Sequence, residues 1–242
     1  MKVIIAKDYD DMSKKAYEVM KSVVTAKDDA ILGLATGSSP IGLYKCMIED
    51  YEKGNVSYKK VHSVNLDEYI GQGVGDEQSY VEFMRNNLFN HIDIDIKNTD
   101  LPSGKAADMQ KECDRYNKKL DGLSQDIQVL GIGSNGHIGF NEPNTPFGSE
   151  THVVDLTANT IKDNARFFKS IDEVPTQAIS MGIKNVMHAK KILLVASGAN
   201  KADAIKATVE GPVTEKVPAS VLQLHPDCYI VVDEAAASKL GK

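Results

Sequence analysis

Three stretches of the chain carry residue types that could move protons on a small anion. In Val64-Asn65-Leu66-Asp67-Glu68-Tyr69, a β-branched run ends in two consecutive carboxylates. Neighbours on an extended chain point to opposite faces, so one of Asp67 and Glu68 can face a crevice as a general base while the other meets structural partners or solvent. A solvated acidic turn is the plain alternative. In the loop Leu130–Pro143, His137 lies among glycines with Asn135 and Glu142 close in sequence as hydrogen-bond partners for its ring. Neutral imidazole can accept a proton and return it near physiological pH, although a lone histidine is more often structural. The third stretch, Thr36-Gly37-Ser38-Ser39-Pro40, runs from a strand into a helix that Pro40 would begin and Ser39 would cap. Small residues bare the backbone N–H groups there, and the helix end adds partial positive charge, which together suit a phosphate. A tight, capped turn without a ligand is the competing reading.

Two motif readings are excluded. The small-residue turn lacks the Gly-Lys-Ser/Thr ending of a Walker A loop. Gly131, Gly133 and Gly136 match G-x-G-x-x-G, with Asp155 near the acidic position of a dinucleotide fingerprint. That fingerprint needs a helix at its last glycine, and Gly139, Asn141, Pro143, Asn144 and Pro146 oppose one.

The elements that must position these residues are legible as alternation. Short β-rich apolar runs at Val3–Ala6, Ile31–Ala35, Val61–Leu66, Ile127–Gly131, Ile192–Ala196 and Tyr229–Val232 predict strands. Between most of them lie amphipathic stretches, Asp10–Thr25, Pro40–Tyr51, Tyr80–Phe89, Asp108–Leu123 and Asn200–Val209, which predict helices. The pattern implies an α/β fold with a mostly parallel central sheet, helices on both faces, and one domain over residues 1–242. Ligands of such sheets bind beyond the carboxyl ends of the strands, and all three stretches lie at such ends.

Composition narrows the partners. With 42% hydrophobic and 26% charged residues the chain is ordinary globular material, and a net charge of -6 disfavours nucleic acid and acidic membrane. A few local donors can still hold a phosphorylated metabolite. Cys46, Cys113 and Cys228 are far apart and lack metal-ligand spacing, so reduced thiols and no metal site are expected. No segment reads as a signal peptide or membrane span, and a cytoplasmic location is expected.

Taken in order, Ala35-Thr36-Gly37-Ser38-Ser39-Pro40, Asn65-Leu66-Asp67-Glu68-Tyr69 and the Gly131–Pro143 loop closely resemble the glucosamine-6-phosphate deaminases. The resemblance continues through Asn164-Ala165-Arg166-Phe167-Phe168, Ser180-Met181-Gly182-Ile183, Gly198-Ala199-Asn200-Lys201-Ala202, Pro218-Ala219-Ser220 and Leu222-Gln223-Leu224-His225. It implies a Rossmann-like fold and conversion of D-glucosamine 6-phosphate and water to D-fructose 6-phosphate and ammonia, with no cofactor. It also implies a hydrolase, a deaminase and an isomerase of amino sugar metabolism. By matching position, Asp67 would remove the C2 proton and His137 would move protons during ring opening, assisted by Asn135 and Glu142. Arg166 and Lys201, with Thr36, Gly37, Ser38 and Ser39, would hold the phosphate. Without the resemblance, Arg166 and Lys201 read as solvated cations.

Two departures stand out. Many members of that family carry Asp where this chain has Asn135, which can orient an imidazole but cannot support its charge, so that support falls on Glu142. Longer members use a basic pair after Asn-Glu-Pro for an acetylated sugar phosphate, whereas this chain reads Glu150-Thr151-His152-Val153-Val154. A hyperbolic rate curve without such activation follows, and a monomer or small homo-oligomer is expected. Asn159–Phe168 is expected to form a helical lid carrying Arg166. The alternatives are a 6-phosphogluconolactonase-like hydrolase, disfavoured by Phe140-Asn141-Glu142-Pro143, and a silent sugar-phosphate sensor, for whose usual DNA-binding module the chain has no spare length.

Overall fold

The computed structural model describes residues 1–157, 160–162, 165 and 168–241. Seven strands form one sheet in which every pairing is parallel. In chain order they are β1 (Lys2–Ala6), β2 (Ile31–Leu34), β3 (His62–Asn65), β5 (Thr99–Asp100), β6 (Ile127–Leu130), β9 (Ile192–Ala196) and β10 (Cys228–Asp233), while β4 (Asp67–Tyr69), β7 (His152–Asp155) and β8 (Gln177–Ser180) lie outside this sheet. Their spatial order is β1-β10-β9-β6-β2-β3-β5. All five residues of β9, Ile-Leu-Leu-Val-Ala, are buried, as a central strand covered on both faces requires. The expected strands all form, each end within about two residues of its prediction.

Helices α1 (Tyr9–Ala26), α2 (Ile41–Glu52), α3 (Tyr80–Asn87) and α4 (Met109–Asp121) match the expected amphipathic stretches, as does the helix Ala202–Glu210, which a 3₁₀ turn at Ala199–Lys201 precedes. In α1, Asp8 caps the first turn by accepting from the Asp11 N–H, while Met12, Ala16, Val19 and Met20 turn inward.

Near the middle of the large sheet sits one polar pair. Gln128 is fully buried; it accepts from Gln125 at 2.6 Å and donates to the Val129 carbonyl at 2.7 Å. A Cβ on Gly33, on the adjacent strand, would lie 2.2 Å from the Gln128 amide oxygen, so this strand position needs glycine for room.

A second sheet was not expected. It is antiparallel, three strands in the order β4-β8-β7, formed by β4 (Asp67–Tyr69), β7 (His152–Asp155) and β8 (Gln177–Ser180). Leu66 joins the sheets: its N–H donates to the Leu34 carbonyl of the large sheet, and its own carbonyl accepts from Met181 N–H just past β8. Asp67 and Glu68 therefore lie on a buried strand, not a solvated turn. A small apolar cluster of Tyr69, Phe140, Leu156 and Ala178 packs at this sheet, apart from the main core.

Candidate active site

Beyond the carboxyl ends of β2, β3 and β6 lies a pocket of about 210 Å³. Thr36, Gly37, Ser38 and Ser39 line it from the first loop, Asp67 from β4, His137 from the third loop, and Lys201 from the turn after β9. Three stretches far apart in sequence thus meet at one surface.

The first loop is fixed by two tyrosines. The Tyr44 hydroxyl donates to the Ala35 carbonyl at 2.5 Å, and the Tyr9 hydroxyl donates to the Ser38 carbonyl at 2.9 Å while accepting from Gly42 N–H at 2.8 Å. Gly37 takes a φ of 91°, open to glycine and strained for other residues. The expected Ser39 cap is corrected here. Pro40 occupies the cap position and no side chain caps from it, because the Tyr9 oxygen already satisfies the Gly42 donor in the first turn.

The paired carboxylates divide as strand alternation requires. Asp67 lines the pocket, whereas Glu68 turns away to accept the N–H groups of Tyr69 (2.9 Å), Tyr80 (2.9 Å) and Val81 (3.1 Å), the last two in the first turn of α3. Burial, and secondarily the Glu68 charge, pushes the Asp67 carboxyl up to about 8. Burial raises Glu68 as well, against the lowering effect of its three backbone donors.

The third loop presents its histidine through close packing. A Cβ on Gly133 would lie 2.3 Å from the His137 ring, so the imidazole lies against bare backbone. Gly139 has a φ of 57°, and a Cβ there would come within 3.7 Å of Asp67 Oδ2. Phe140 N–H donates to Ser180 Oγ, and the buried Asn141 amide donates to the Ile138 and Met181 carbonyls, which dock the loop on the end of β8.

Behind the imidazole stands Glu142, its Oε1 at 3.3 Å from His137 Nδ1. Burial alone would raise the Glu142 carboxyl, but His137, Asn135 and Thr160 outweigh it and hold the group below its usual range. Asn135 differs from its expected placement. Its amide donates to Glu142 Oε2 at 2.7 Å and its carbonyl accepts from the His137 backbone N–H at 3.1 Å, so it supports the carboxylate and the loop instead of the ring.

Lys201 lines the pocket, while Arg166 and part of the lid segment Asn159–Phe168 lie outside the described residues. Tyr80 and Thr160 also line the pocket and were not foreseen. Thr160 donates to Glu142 Oε1 at 2.9 Å, and Tyr80 stacks on Phe140 at 6.3 Å between ring centroids. Ser79 caps α3 by accepting from Glu82 N–H, which sets Tyr80 at the first helical position. Among the described residues no cluster of His, Cys, Asp and Glu could hold a metal ion, and no helix is long and apolar enough to cross a membrane.

The whole chain is similar to known proteins. A glucosamine-6-phosphate deaminase of Clostridioides difficile (strain 630) is 53% identical over 100% of this chain and 97% of its own length. One from Clostridium novyi (strain NT) is 52% identical over 99% of this chain and 100% of its own. Among solved structures, a monomeric glucosamine-6-phosphate deaminase superposes with a TM-score of 0.97 at 44% identity, covering 99% of this chain and 100% of that one. A 6-phosphogluconolactonase from Leishmania guyanensis, with a TM-score of 0.79 and 19% identity over 100% of this chain and 99% of its own, shares the fold alone.

These findings correct one expectation, that of a hydrolase. Relatives sharing about half their residues with this chain are deaminases, and the lactonase, which is the hydrolase among these neighbours, is the distant one. A deaminating isomerase takes its place. The model of the family described as glucosamine-6-phosphate isomerases/6-phosphogluconolactonase matches residues 7–230, and the chain belongs to that family.

Proposed function

We propose that this chain converts D-glucosamine 6-phosphate and water to D-fructose 6-phosphate and ammonia, with Asp67 and His137 as its acid–base groups. The observation that carries the reading is their convergence on one pocket with the small-residue turn and Lys201. Full-length similarity to deaminases supports the substrate.

The phosphate would rest on the turn Thr36–Ser39 and on Lys201, with Arg166 joining by resemblance. So anchored, the sugar brings its anomeric carbon toward His137 and C2 toward Asp67. Ring opening moves the proton of the anomeric hydroxyl to the ring oxygen, breaking the C1–O5 bond and leaving an aldehyde at C1. His137 accepts and returns that proton, and Glu142 stabilises the imidazolium between the two transfers.

The new carbonyl acidifies C2–H. Asp67, as carboxylate, takes that proton while the substrate's ammonium group gives one to the C1 oxygen, forming an enolamine; return of the proton from Asp67 to C1 leaves a protonated imine at C2. Water adds to the imine and ammonia departs, leaving the C2 ketone, so an aldose becomes a ketose with its carbon chain intact and one amine is exchanged for oxygen. The substrate's ammonium group beside Asp67 favours the ionised carboxyl the step requires. Each such group contributes about 10²–10⁴ in rate.

Activity as a monomer in the cytoplasm belongs to the same proposal, supported by similarity to a monomeric deaminase and by three free cysteines. The test is ammonia release from glucosamine 6-phosphate beside lactone hydrolysis by the same preparation. Ammonia without lactonase activity is expected; the reverse would assign the pocket to a lactonase.

A further inference from the structure

Asp233 closes β10, outside the pocket, and is only 6% exposed. Its carboxylate is turned away from bulk solvent and is held by hydroxyl and backbone donors. Oδ2 accepts the Ser197 hydroxyl at 2.5 Å, Oδ1 accepts Ala236 N–H at 2.7 Å, and both oxygens lie 3.1 Å from Gly198 N–H. Burial raises this carboxyl, but those donors outweigh it and hold it below its usual range.

What it grips is the loop that delivers Lys201. Ser197 and Gly198 follow β9 directly, Gly198 adopts a φ of 97°, and the Gly198 carbonyl accepts the Lys201 N–H at 3.0 Å. From Asp233 the path to the pocket is therefore short: carboxylate, Gly198 peptide, one 3₁₀ turn, Lys201. Ser197 and Lys201 also line one cavity with Ser38 and Ser39 of the first loop, so the two loops face each other across it.

We propose that Asp233 is a positioning residue for sugar-phosphate binding: by holding Ser197 and Gly198 it sets Lys201 opposite the Thr36–Ser39 turn. The inference rests on the reading of Lys201 as a phosphate ligand. It concerns affinity rather than chemistry, because Asp233 touches neither Asp67 nor His137 among the described contacts.

The test is steady-state kinetics with glucosamine 6-phosphate and inhibition by inorganic phosphate, on the full chain and its D233A, D233N, S197A, K201A and D233A/K201A variants, with melting temperatures alongside. D233A should raise KM and the phosphate inhibition constant about tenfold, with kcat changed less than about twofold. D233N keeps an acceptor for Gly198 and Ala236 and should recover most of that affinity. The double variant should bind no worse than K201A, since both changes remove one contact.

If K201A leaves KM and phosphate inhibition unchanged, the phosphate reading falls and takes this inference with it. If K201A weakens both while D233A weakens neither, or if the two effects multiply, only the role of Asp233 is overturned. Should D233A fail to fold, S197A decides: it removes the hydroxyl that Asp233 holds and should raise KM and the phosphate inhibition constant, and a KM equal to that of the parent chain, at an unchanged melting temperature, sinks the proposal.

Discussion

His137 Nδ1 lies 3.3 Å from Oε1 of Glu142, and the same carboxylate holds Asn135 through its other oxygen. The anion facing the imidazole is thus itself fixed from behind, which decides what each substitution here should do.

Replacing Glu142 by Gln removes the charge but keeps the shape, so kcat should fall about 10–100-fold with little change in KM, as steady-state rates would reveal. Asn135→Asp is the opposite experiment. It sets a carboxylate against Glu142 Oε2 at the 2.7 Å spacing now held by the amide, and like charges that close bind a shared proton. Relative to the parent chain, this variant should lose activity progressively as pH falls from 8 to 5; a pH-independent ratio would refute the pairing.

For Asp67, protonated below about 8 in the free enzyme, kcat/KM should climb with pH and level off above that value. Glu68→Gln removes the second cause of the upward shift, so the midpoint of that climb should move to lower pH. Asp67→Asn should abolish exchange of the C2 proton with solvent, measured by deuterium incorporation, while phosphate inhibition persists.

Stability should show the same group with a definite sign. The folded chain holds the Asp67 proton up to about 8, whereas an unfolded carboxyl near 3.8 has released it, so the folded state is favoured at low pH and loses that advantage as pH rises between the two values. Asp67→Asn has no proton to lose. The melting-temperature gap in favour of the variant should widen from pH 5 to pH 8; a constant gap would count against the shifted carboxyl.

The ring-opening assignment separates two variants from Asp67. His137→Gln should cost about 10²–10⁴ in kcat on the cyclic substrate yet spare an acyclic analogue in part. Gly133→Ala should mimic it, since the new methyl would press on the ring from 2.3 Å and displace it by enough to cost about 10² in rate. An alanine variant with intact melting temperature and full activity would show that the ring's seat does not matter.

Much of this was readable from residue order alone. Strands such as Ile192–Ala196 declare themselves because two-sided burial demands uninterrupted apolar residues, and the glycines around His137 mark a backbone that must approach something closely. The second sheet was hidden for a physical reason. Its strands, Asp67–Tyr69, His152–Asp155 and Gln177–Ser180, are short and rich in polar residues, so their pairing is set by contacts across the chain rather than by local pattern. Side-chain direction was equally hidden: Asn135 turns to Glu142, not the ring, and Tyr9, remote in sequence, does the work expected of Ser39.

Leu66 is bonded to both sheets, and alternation begins right after it. Adding or deleting a single amino acid there would swap the two acids, burying the pocket's base against α3 and turning its helix-capping neighbour toward substrate. Gene variants that alter length between Asn65 and Glu68 should therefore fold poorly and turn over nothing, while drift in length is tolerated on exposed turns such as Lys53–Asn55.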